Sequence, residues 1–250
     1  MRLLIVNPNT SASMTQRIGA AARAAAGPGV EVVAVNPMSG PASIEGYFDE
    51  VFAAPGLVEE VARGDAAGFD AFIVACFDDT GLEAARCAAR GPVIGIGEAA
   101  FHLAALIAHR FSVVTTLSRS IAPIEANLTK YGLASRCARV RACAVPVLAL
   151  DDAASGAREQ LSAEIDRAIA EDGAEAIVLG CAGMADLAAA LARRHGLPVV
   201  DGVAAAVKLA EALAGLKLRT SKSGGWAEPR AKPYAGYLAT FDGMGENLPA

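Results

Sequence analysis

The sequence predicts an α/β fold in which two similar, Rossmann-like lobes with parallel sheets are related by a pseudo-two-fold axis. Short β-branched segments alternate with helical segments along the chain, which is typical of parallel sheets. The order of these segments repeats after a little over one hundred positions, and in each half one strand ends directly at a cysteine. Because ligands of α/β sheets bind outside the carboxyl ends of the strands, we expect the functional site in the cleft between the lobes.

The strands are predicted from short runs rich in valine and isoleucine. In chain order they are Leu3–Val6, Val30–Val35, Phe72–Ala75, Val93–Ile96, Ser112–Thr115, Val140–Val145, Ile177–Leu179 and Pro198–Val200. Helices are predicted between them, where apolar and small residues recur at helical spacing. The clearest are Ser13–Ala26, Leu57–Ala62, Gly81–Ala89, Ala99–Ala108, Ala157–Glu171 and Met184–Arg194.

Four segments of the first half match four of the second half in the same order. The longest match pairs Gly68–Cys76 with Gly173–Cys181: each reads glycine, any residue, an acid, alanine, three apolar residues, a small residue and cysteine. Buried parallel strands resemble one another in any protein, but this does not explain a cysteine at both strand ends. Duplication therefore predicts a first lobe of residues 1–97 plus about 207–220, and a second lobe of residues 98–206. The other matched pairs are Arg2–Asn7 with Arg110–Thr115, Val30–Pro37 with Val140–Pro146, and Gly91–Ile94 with Gly196–Val200.

Residues 221–250 are predicted to form an irregular C-terminal tail. The stretch Ser221–Gly225 and the scattered prolines after it show no hydrophobic periodicity. The aromatic side chains of Trp226, Tyr234 and Tyr237 leave two alternatives open: docking on a neighbouring subunit, or loose packing on the tail's own lobe.

Composition argues against several classes of function. A net charge of −5 provides no basic stripe for nucleic acid. The mean hydropathy of +0.37 reflects abundant alanine, and no run approaches the ~18–20 apolar residues of a membrane span. The apolar N-terminus is too short for a signal-peptide core. We expect a cytoplasmic protein with no nucleic-acid or membrane partner.

The five cysteines are expected to be reduced, since the chain shows no secretory signal. Cys87 falls in an alanine-rich helix, Cys143 in a strand and Cys137 between arginines, so all three are interpreted as structural. The histidines form no close cluster with the cysteines, and the chain has no CxxC or HExxH motif. No metal site is therefore predicted.

Cys76 and Cys181 are the candidate catalytic residues. Each follows a strand and precedes a predicted helix start, where backbone N–H groups are expected to lower a thiol pKa. A thiolate on one face of a carbon acid and a thiol on the other suit racemisation, because one removes a proton while the other returns one. Two alternatives remain open for this pair: buried structural thiols, or a redox pair.

Five motifs, taken together and in order, resemble the aspartate/glutamate/hydantoin racemase superfamily, most closely its hydantoin racemase branch. The resemblance implies two α/β lobes, no cofactor, a homo-oligomer, and Cys76 and Cys181 as the proton carriers. It also implies a pocket lined by Pro8, Asn9, Ser43, Phe77, Asp78, Thr115, Thr116 and Ala182. The motifs are Asn7–Thr15, Pro41–Gly46, Ala75–Leu82, Arg110–Thr116 and Glu171–Met184.

The residues around the cysteines favour a cyclic ureide substrate. In amino-acid racemases of this superfamily the second cysteine is typically followed by Thr-His, whereas here it is followed by Ala182 and Gly183. No lysine or arginine lies in the cleft loops, and Asp78 and Asp79 would repel an anion but accept hydrogen bonds from a ring N–H. A racemase of 5-substituted hydantoins is the preferred hypothesis. The alternatives are allantoin racemase, an amino-acid racemase, and a two-lobed small-molecule binding protein.

Overall fold

The computed structural model describes residues 1–151 and 155–242, and it contains two parallel four-stranded sheets. Each sheet has its first strand in second place, so the orders β2-β1-β3-β4 and β6-β5-β7-β8 are the same topology twice. The predicted α/β class with two similar lobes is therefore confirmed. The strands of the first sheet are β1 (Arg2–Val6), β2 (Glu31–Val35), β3 (Ala71–Val74) and β4 (Val93–Gly95), and those of the second are β5 (Phe111–Thr115), β6 (Cys137–Ala142), β7 (Ala176–Leu179) and β8 (Val199–Asp201).

Eight α-helices lie among the described residues. They are α1 (Ala12–Ala25), α2 (Tyr47–Ala66), α3 (Leu82–Ala88), α4 (Ile96–Ile107), α5 (Ile121–Lys130), α6 (Ala157–Asp172), α7 (Ala188–His195) and α8 (Gly202–Gly215). Short 3-10 helices occupy several of the connections, including Ser118–Ser120, Val147–Asp151 and Ala182–Leu187. The helices predicted from the sequence did not include α5 or α8, and they covered only Leu57–Ala62 in the C-terminal half of α2.

Two predicted boundaries shift because of local backbone conformation. Strand β6 ends at Ala142 rather than Val145, and Ala144 adopts a positive φ of 57°, which an extended strand does not contain. The predicted helix Met184–Arg194 is divided into a 3-10 helix that starts at Ala182 and the α-helix α7. Both changes fall in segments that lead into the cleft.

The two sheets share one apolar core, which holds the lobes against each other. Helix α4 follows β4 but also packs against β7, and α8 follows β8 but also packs against β3. Phe101 of α4 is fully buried and contacts Phe77 at a ring distance of 5.3 Å and Phe111 at 6.2 Å. Burying such a side chain contributes about 2–3 kcal/mol. Residues from both halves are thus packed on the same helix, next to the loop that follows β3.

The described part of the tail packs on the first half of the chain. Trp226 donates a hydrogen bond to Glu83 and lies under the guanidinium of Arg86 at 4.8 Å. Lys222 donates to the backbone oxygens of Arg86 and Cys87. The tail prediction for residues 243–250 lies outside the described residues, and the proposed division into lobes stays a prediction. None of the helices in the described ranges has the length and apolar character needed to cross a bilayer.

Candidate active site

The carboxyl ends of the central strands of both sheets meet at one small pocket. Its volume is about 30 Å³. The wall includes residues that follow β1, β3, β5 and β7, and residues from the loops after β2 and β6. The lining residues are Asn7, Asn9, Met14, Ile44, Ala75, Cys76, Phe77, Asp78, Thr116, Ser120, Val147, Gly180, Cys181 and Ala182.

Cys76 is placed in this pocket by the end of β3. The Ala75 N–H still bonds to the oxygen of Val6 at 2.8 Å, and the oxygen of Cys76 then accepts the N–H of Asp79 at 3.0 Å, which turns the chain. The thiol receives two hydrogen bonds, one from the Thr80 hydroxyl at 3.3 Å and one from the backbone N–H of Asp78. Both donors favour a negative charge on the sulfur.

Asp79 fixes the loop that carries Cys76. Its carboxylate accepts the N–H groups of Gly97 (3.0 Å) and Glu98 (2.8 Å) at the start of α4, and the Tyr131 hydroxyl (2.8 Å). The loop lies so close to α4 that a side chain on Gly97 would meet the oxygen of Phe77 at 2.3 Å. Asp79 does not line the pocket, and its carboxylate accepts three hydrogen bonds within the protein, so of the two acids only Asp78 is placed to meet a substrate N–H.

Cys181 is placed by equivalent backbone hydrogen bonds at the end of β7. The Gly180 N–H bonds to the oxygen of Val114 at 2.8 Å, and the oxygen of Cys181 accepts the N–H of Met184 at 3.1 Å. Thr115 donates its hydroxyl to the oxygen of Gly180 at 2.9 Å. The Cys181 thiol receives a hydrogen bond from the backbone N–H of Gly183.

The backbone N–H groups that follow each cysteine lower the thiol pKa, as expected, but the net shift of both thiol pKa values is upward. Burial raises the pKa of Cys181 to about 12 and raises the pKa of Cys76 well above its usual range. Helix α3 begins only at Leu82, and a 3-10 helix rather than an α-helix follows Cys181. The backbone donors lower each pKa, but burial is the larger effect.

Asp78 presents a carboxyl group to the pocket. Its side chain is buried, and among the described residues it has no hydrogen-bond partner; Asn127 donates only to the backbone oxygen of Asp78, at 2.8 Å. Burial, followed by the charges of Glu50 and Asp79, raises the pKa of Asp78 to about 8. Below that pH the group is a neutral acid, which can both donate and accept a hydrogen bond.

Several predicted pocket residues lie together around the two cysteines. The structure places Asn9, Phe77, Asp78, Thr116 and Ala182 in the lining. Three others do not line it: Pro8, Ser43 and Thr115, whose hydroxyl bonds to the backbone as described above.

The sequence-based interpretation did not single out Asn7, Met14, Ile44, Ser120 and Val147, which also line the pocket. Asn7 directly follows β1, where the strand-end rule places the cleft, and it opens the Asn7–Thr15 motif, but it was not named as a pocket residue. Ser120 and Val147 lie in 3-10 helices, for which the sequence carries no strong signal.

Metal-binding groups are not assembled in the part of the chain that the structure describes. No set of three or more histidine, cysteine, aspartate or glutamate side chains is close enough there to hold an ion. The chemistry available in the pocket is therefore that of two thiols, one carboxyl group, hydroxyls and amides.

These features assign the chain to a class of two-lobed α/β proteins. In this class each lobe carries one cysteine at the equivalent strand end, and both cysteines lie in one pocket. Residues 3–210 match the model of the family described as Asp/Glu/Hydantoin racemase. The chain belongs to this family and is an enzyme of the isomerase class.

Individual relatives agree over nearly the whole chain. The hydantoin racemase of Rhizobium meliloti is 50% identical over 237 residues, which cover 95% of this chain and 98% of that protein. The solved structure of an allantoin racemase from Klebsiella pneumoniae has 50% identity and a TM-score of 0.94, and covers 97% of this chain and 99% of its own. An allantoin racemase from Pseudomonas fluorescens has 44% identity and a TM-score of 0.91, with coverages of 94% and 100%.

Proposed function

We propose that the chain is a cofactor-independent racemase that inverts C5 of 5-substituted hydantoins by proton transfer between Cys76 and Cys181. The observation that carries the proposal is that these two thiols occupy equivalent strand ends of the two lobes and line one pocket. A ring placed between them would have one sulfur on each face of C5. The relatives named hydantoin racemase and allantoin racemase support this substrate class.

The reaction needs one thiolate and one thiol. The thiolate takes the C5 proton, which leaves the electron pair in an enolate conjugated with the neighbouring ring carbonyl. The second thiol then gives its proton to C5 from the opposite face and becomes the thiolate, so the two cysteines have exchanged protonation states and the configuration is inverted. The N–H groups of Asp78 and Gly183 stabilise whichever sulfur is charged.

The polar lining residues suit the ring of a neutral ureide. Thr116 and Ser120 are buried, and their hydroxyls have no partner among the described residues, so they are available to donate to ring carbonyls and the enolate oxygen. The Asp78 carboxyl can accept a ring N–H. Among the described residues no lysine or arginine lines the pocket, which disfavours a free amino acid with its carboxylate.

Allantoin is the second candidate substrate, because it is itself a hydantoin with a ureido group on C5. The specific observation in its favour is the similarity to two solved structures named allantoin racemase. The proton transfer would be identical, and only the contacts of the C5 substituent would differ.

The test is to incubate the enzyme in D₂O with enantiopure L- and D-5-benzylhydantoin, L- and D-5-methylhydantoin, (S)-allantoin and L-glutamate in separate reactions. Optical rotation reports inversion, and loss of the C5–H proton signal reports exchange. We expect both signals to decay together for the ureides and to stay constant for glutamate. Faster turnover of allantoin than of either hydantoin would move the assignment to allantoin, and no turnover of any ureide by folded, reduced enzyme would refute the proposal.

A further inference from the structure

Two loops, one from each half of the chain, meet at the pocket and are joined by a hydrogen bond. The Glu45 carboxylate, in the loop after β2, accepts the backbone N–H of Val147, in the loop after β6, at 3.1 Å. The side chains of Ile44 and Val147 both line the pocket and are 7% and 5% exposed. The hydrogen bond therefore joins Val147 to the residue next to Ile44, so it ties together the two loops that carry an apolar wall from opposite lobes.

Further hydrogen bonds fix the two segments that this bond joins. The N–H of Glu45 donates to Asp49 in the first turn of α2 at 2.9 Å, and Gly46 between them has a φ of 119°, which favours glycine. On the other side, the oxygen of Leu150 accepts a hydrogen bond from Arg17 at 3.3 Å. The 3-10 helix that begins at Val147 is thus tied to the first lobe at two points.

The apolar wall is where the C5 substituent of the substrate would lie. The two thiols must flank C5, and the ring's N–H and carbonyl groups need the polar side chains of Asp78, Thr116 and Ser120. The remaining lining side chains large enough to receive a substituent include Met14, Ile44 and Val147. The pocket is narrow, with a volume of about 30 Å³, so the size of the C5 substituent that fits depends on how far apart Ile44 and Val147 are held.

We propose that Glu45 is a specificity-determining residue: by holding Val147 it limits how far the apolar wall can separate, and so restricts efficient racemisation to hydantoins with small C5 substituents. This inference rests on the proposed function. Glu45 itself touches no reacting atom, and it acts through the position of Val147.

The experiment compares kcat/KM for 5-methylhydantoin and 5-benzylhydantoin in three variants. Glu45→Ala removes the acceptor, and Glu45→Gln retains an oxygen that can accept the same N–H. Val147→Ala keeps the hydrogen bond but shortens the wall itself. We expect wild-type enzyme to prefer the methyl substrate, and the benzyl-to-methyl ratio to rise roughly tenfold in Glu45→Ala and in Val147→Ala, which is the scale of a small volume change in an apolar pocket. Glu45→Gln should keep the wild-type ratio.

The ratio separates specificity from a simple loss of folded enzyme, since misfolding lowers both rates equally. A wild-type preference for the benzyl substrate, or an unchanged ratio in Glu45→Ala or Val147→Ala, would overturn the role of Glu45 while leaving the racemase proposal intact. Equal ratios in Glu45→Gln and Glu45→Ala would also overturn it, because the hydrogen bond would then not be the cause. A wild-type enzyme inactive on both hydantoins and on allantoin would instead refute the proposed function.

Discussion

The loops after Cys76 and Cys181 share two backbone hydrogen bonds but differ in their side chains and in local conformation, since Asp79 has a positive φ of 50° and a 3-10 helix follows Cys181. In both, the cysteine oxygen accepts the N–H three positions on, and the cysteine sulfur receives the N–H two positions on. The first loop carries acids and a hydroxyl at Asp78, Asp79 and Thr80, whereas Gly183, Met184 and Ala185 occupy the equivalent positions of the second. The repeated fold thus places two thiols alike, and the side chains make them chemically unlike.

The difference concerns how strongly each sulfur holds its proton. The charges of Asp78 and Glu50 raise the pKa of Cys76 in addition to burial. Asp78 also raises the pKa of Cys181, but the positive charge of Arg17 lowers it. We therefore expect Cys181 to be the sulfur that ionises first, so that the enzyme between turnovers holds its remaining thiol proton on Cys76.

The largest expected effect comes from removing either thiol. Cys76→Ser and Cys181→Ser should each lower racemisation of the preferred ureide by roughly 10³-fold, since a positioned acid or base contributes about 10²–10⁴-fold and a serine hydroxyl is a far weaker acid. Cys87→Ser is the matched control and should retain wild-type activity, because Cys87 lies in α3 outside the pocket. Initial rates by polarimetry measure the effect.

Exchange of the C5 proton in D₂O sharpens the same comparison. A variant with one remaining thiol can still exchange the proton of the enantiomer that faces it without inverting that enantiomer, so the two variants should exchange opposite enantiomers. A single-serine variant that racemises at the wild-type rate would break the equivalence of the two loops, and the site would need only one cysteine.

The sequence predicted the similarity of the two loops better than their difference. The matched segments Gly68–Cys76 and Gly173–Cys181 placed β3 and β7 and the two cysteines correctly, because buried strands and the residues at their ends follow a regular pattern. The burial of the two thiols could not be predicted from such a pattern. The sequence indicated helix N-termini that would lower the thiol pKa, but the packed core around the pocket raises it.

The pocket wall was predicted where it belongs to strand ends and missed where it comes from long loops. Asn9, Phe77 and Ala182 lie close to the ends of strands, and their neighbours in space follow from topology. Val147 reaches the pocket through a 3-10 helix, and a hydrogen bond to a residue 102 positions away accompanies its placement. Contacts of that kind depend on tertiary packing and leave no local pattern.

A smaller effect is expected on how the free energy of unfolding depends on pH. It arises only from the loop after Cys76. The pKa of Asp78 is about 8 in the folded protein and ~3.9 in an unfolded chain, so the folded state keeps a proton that the unfolded state loses. This residue therefore contributes stability at low pH that is lost as the pH rises from about 4 to about 8.

Asp78→Asn removes this titration, so its free energy of unfolding should improve relative to wild type between pH 5 and pH 8 by at least about 1 kcal/mol. Urea unfolding of both proteins at the two pH values measures the difference. Parallel stability curves would mean that the Asp78 carboxyl is hydrated and titrates as it does in the unfolded chain. The electrostatic contrast between the two loops would then rest on Glu50 and Arg17 alone.

The smallest expected effect comes from removing the hydroxyl of Thr80, which has no counterpart in the loop after Cys181. Thr80→Val removes the hydrogen bond to the Cys76 sulfur but keeps the shape of the side chain, so the pKa of Cys76 should rise further. The loss of one such bond, on the order of 1 kcal/mol, corresponds to a fall in kcat of about fivefold, with a pH–rate profile displaced to higher pH. Thr80→Ser retains the hydroxyl and should retain the profile.

A Thr80→Val enzyme with the wild-type profile would show that the Asp78 N–H alone stabilises the Cys76 thiolate. Near Cys181 the position equivalent to Thr80 is Ala185, which has no hydroxyl, so this sulfur already depends on a single backbone donor from Gly183. The two sulfurs would then be stabilised identically, and the carboxyl groups near Cys76 would account for the whole difference in proton affinity. A displaced profile would instead mean that the hydroxyl offsets part of the unfavourable charge of Asp78 and Glu50, which keeps the two sulfurs close enough in proton affinity to exchange roles in every turnover.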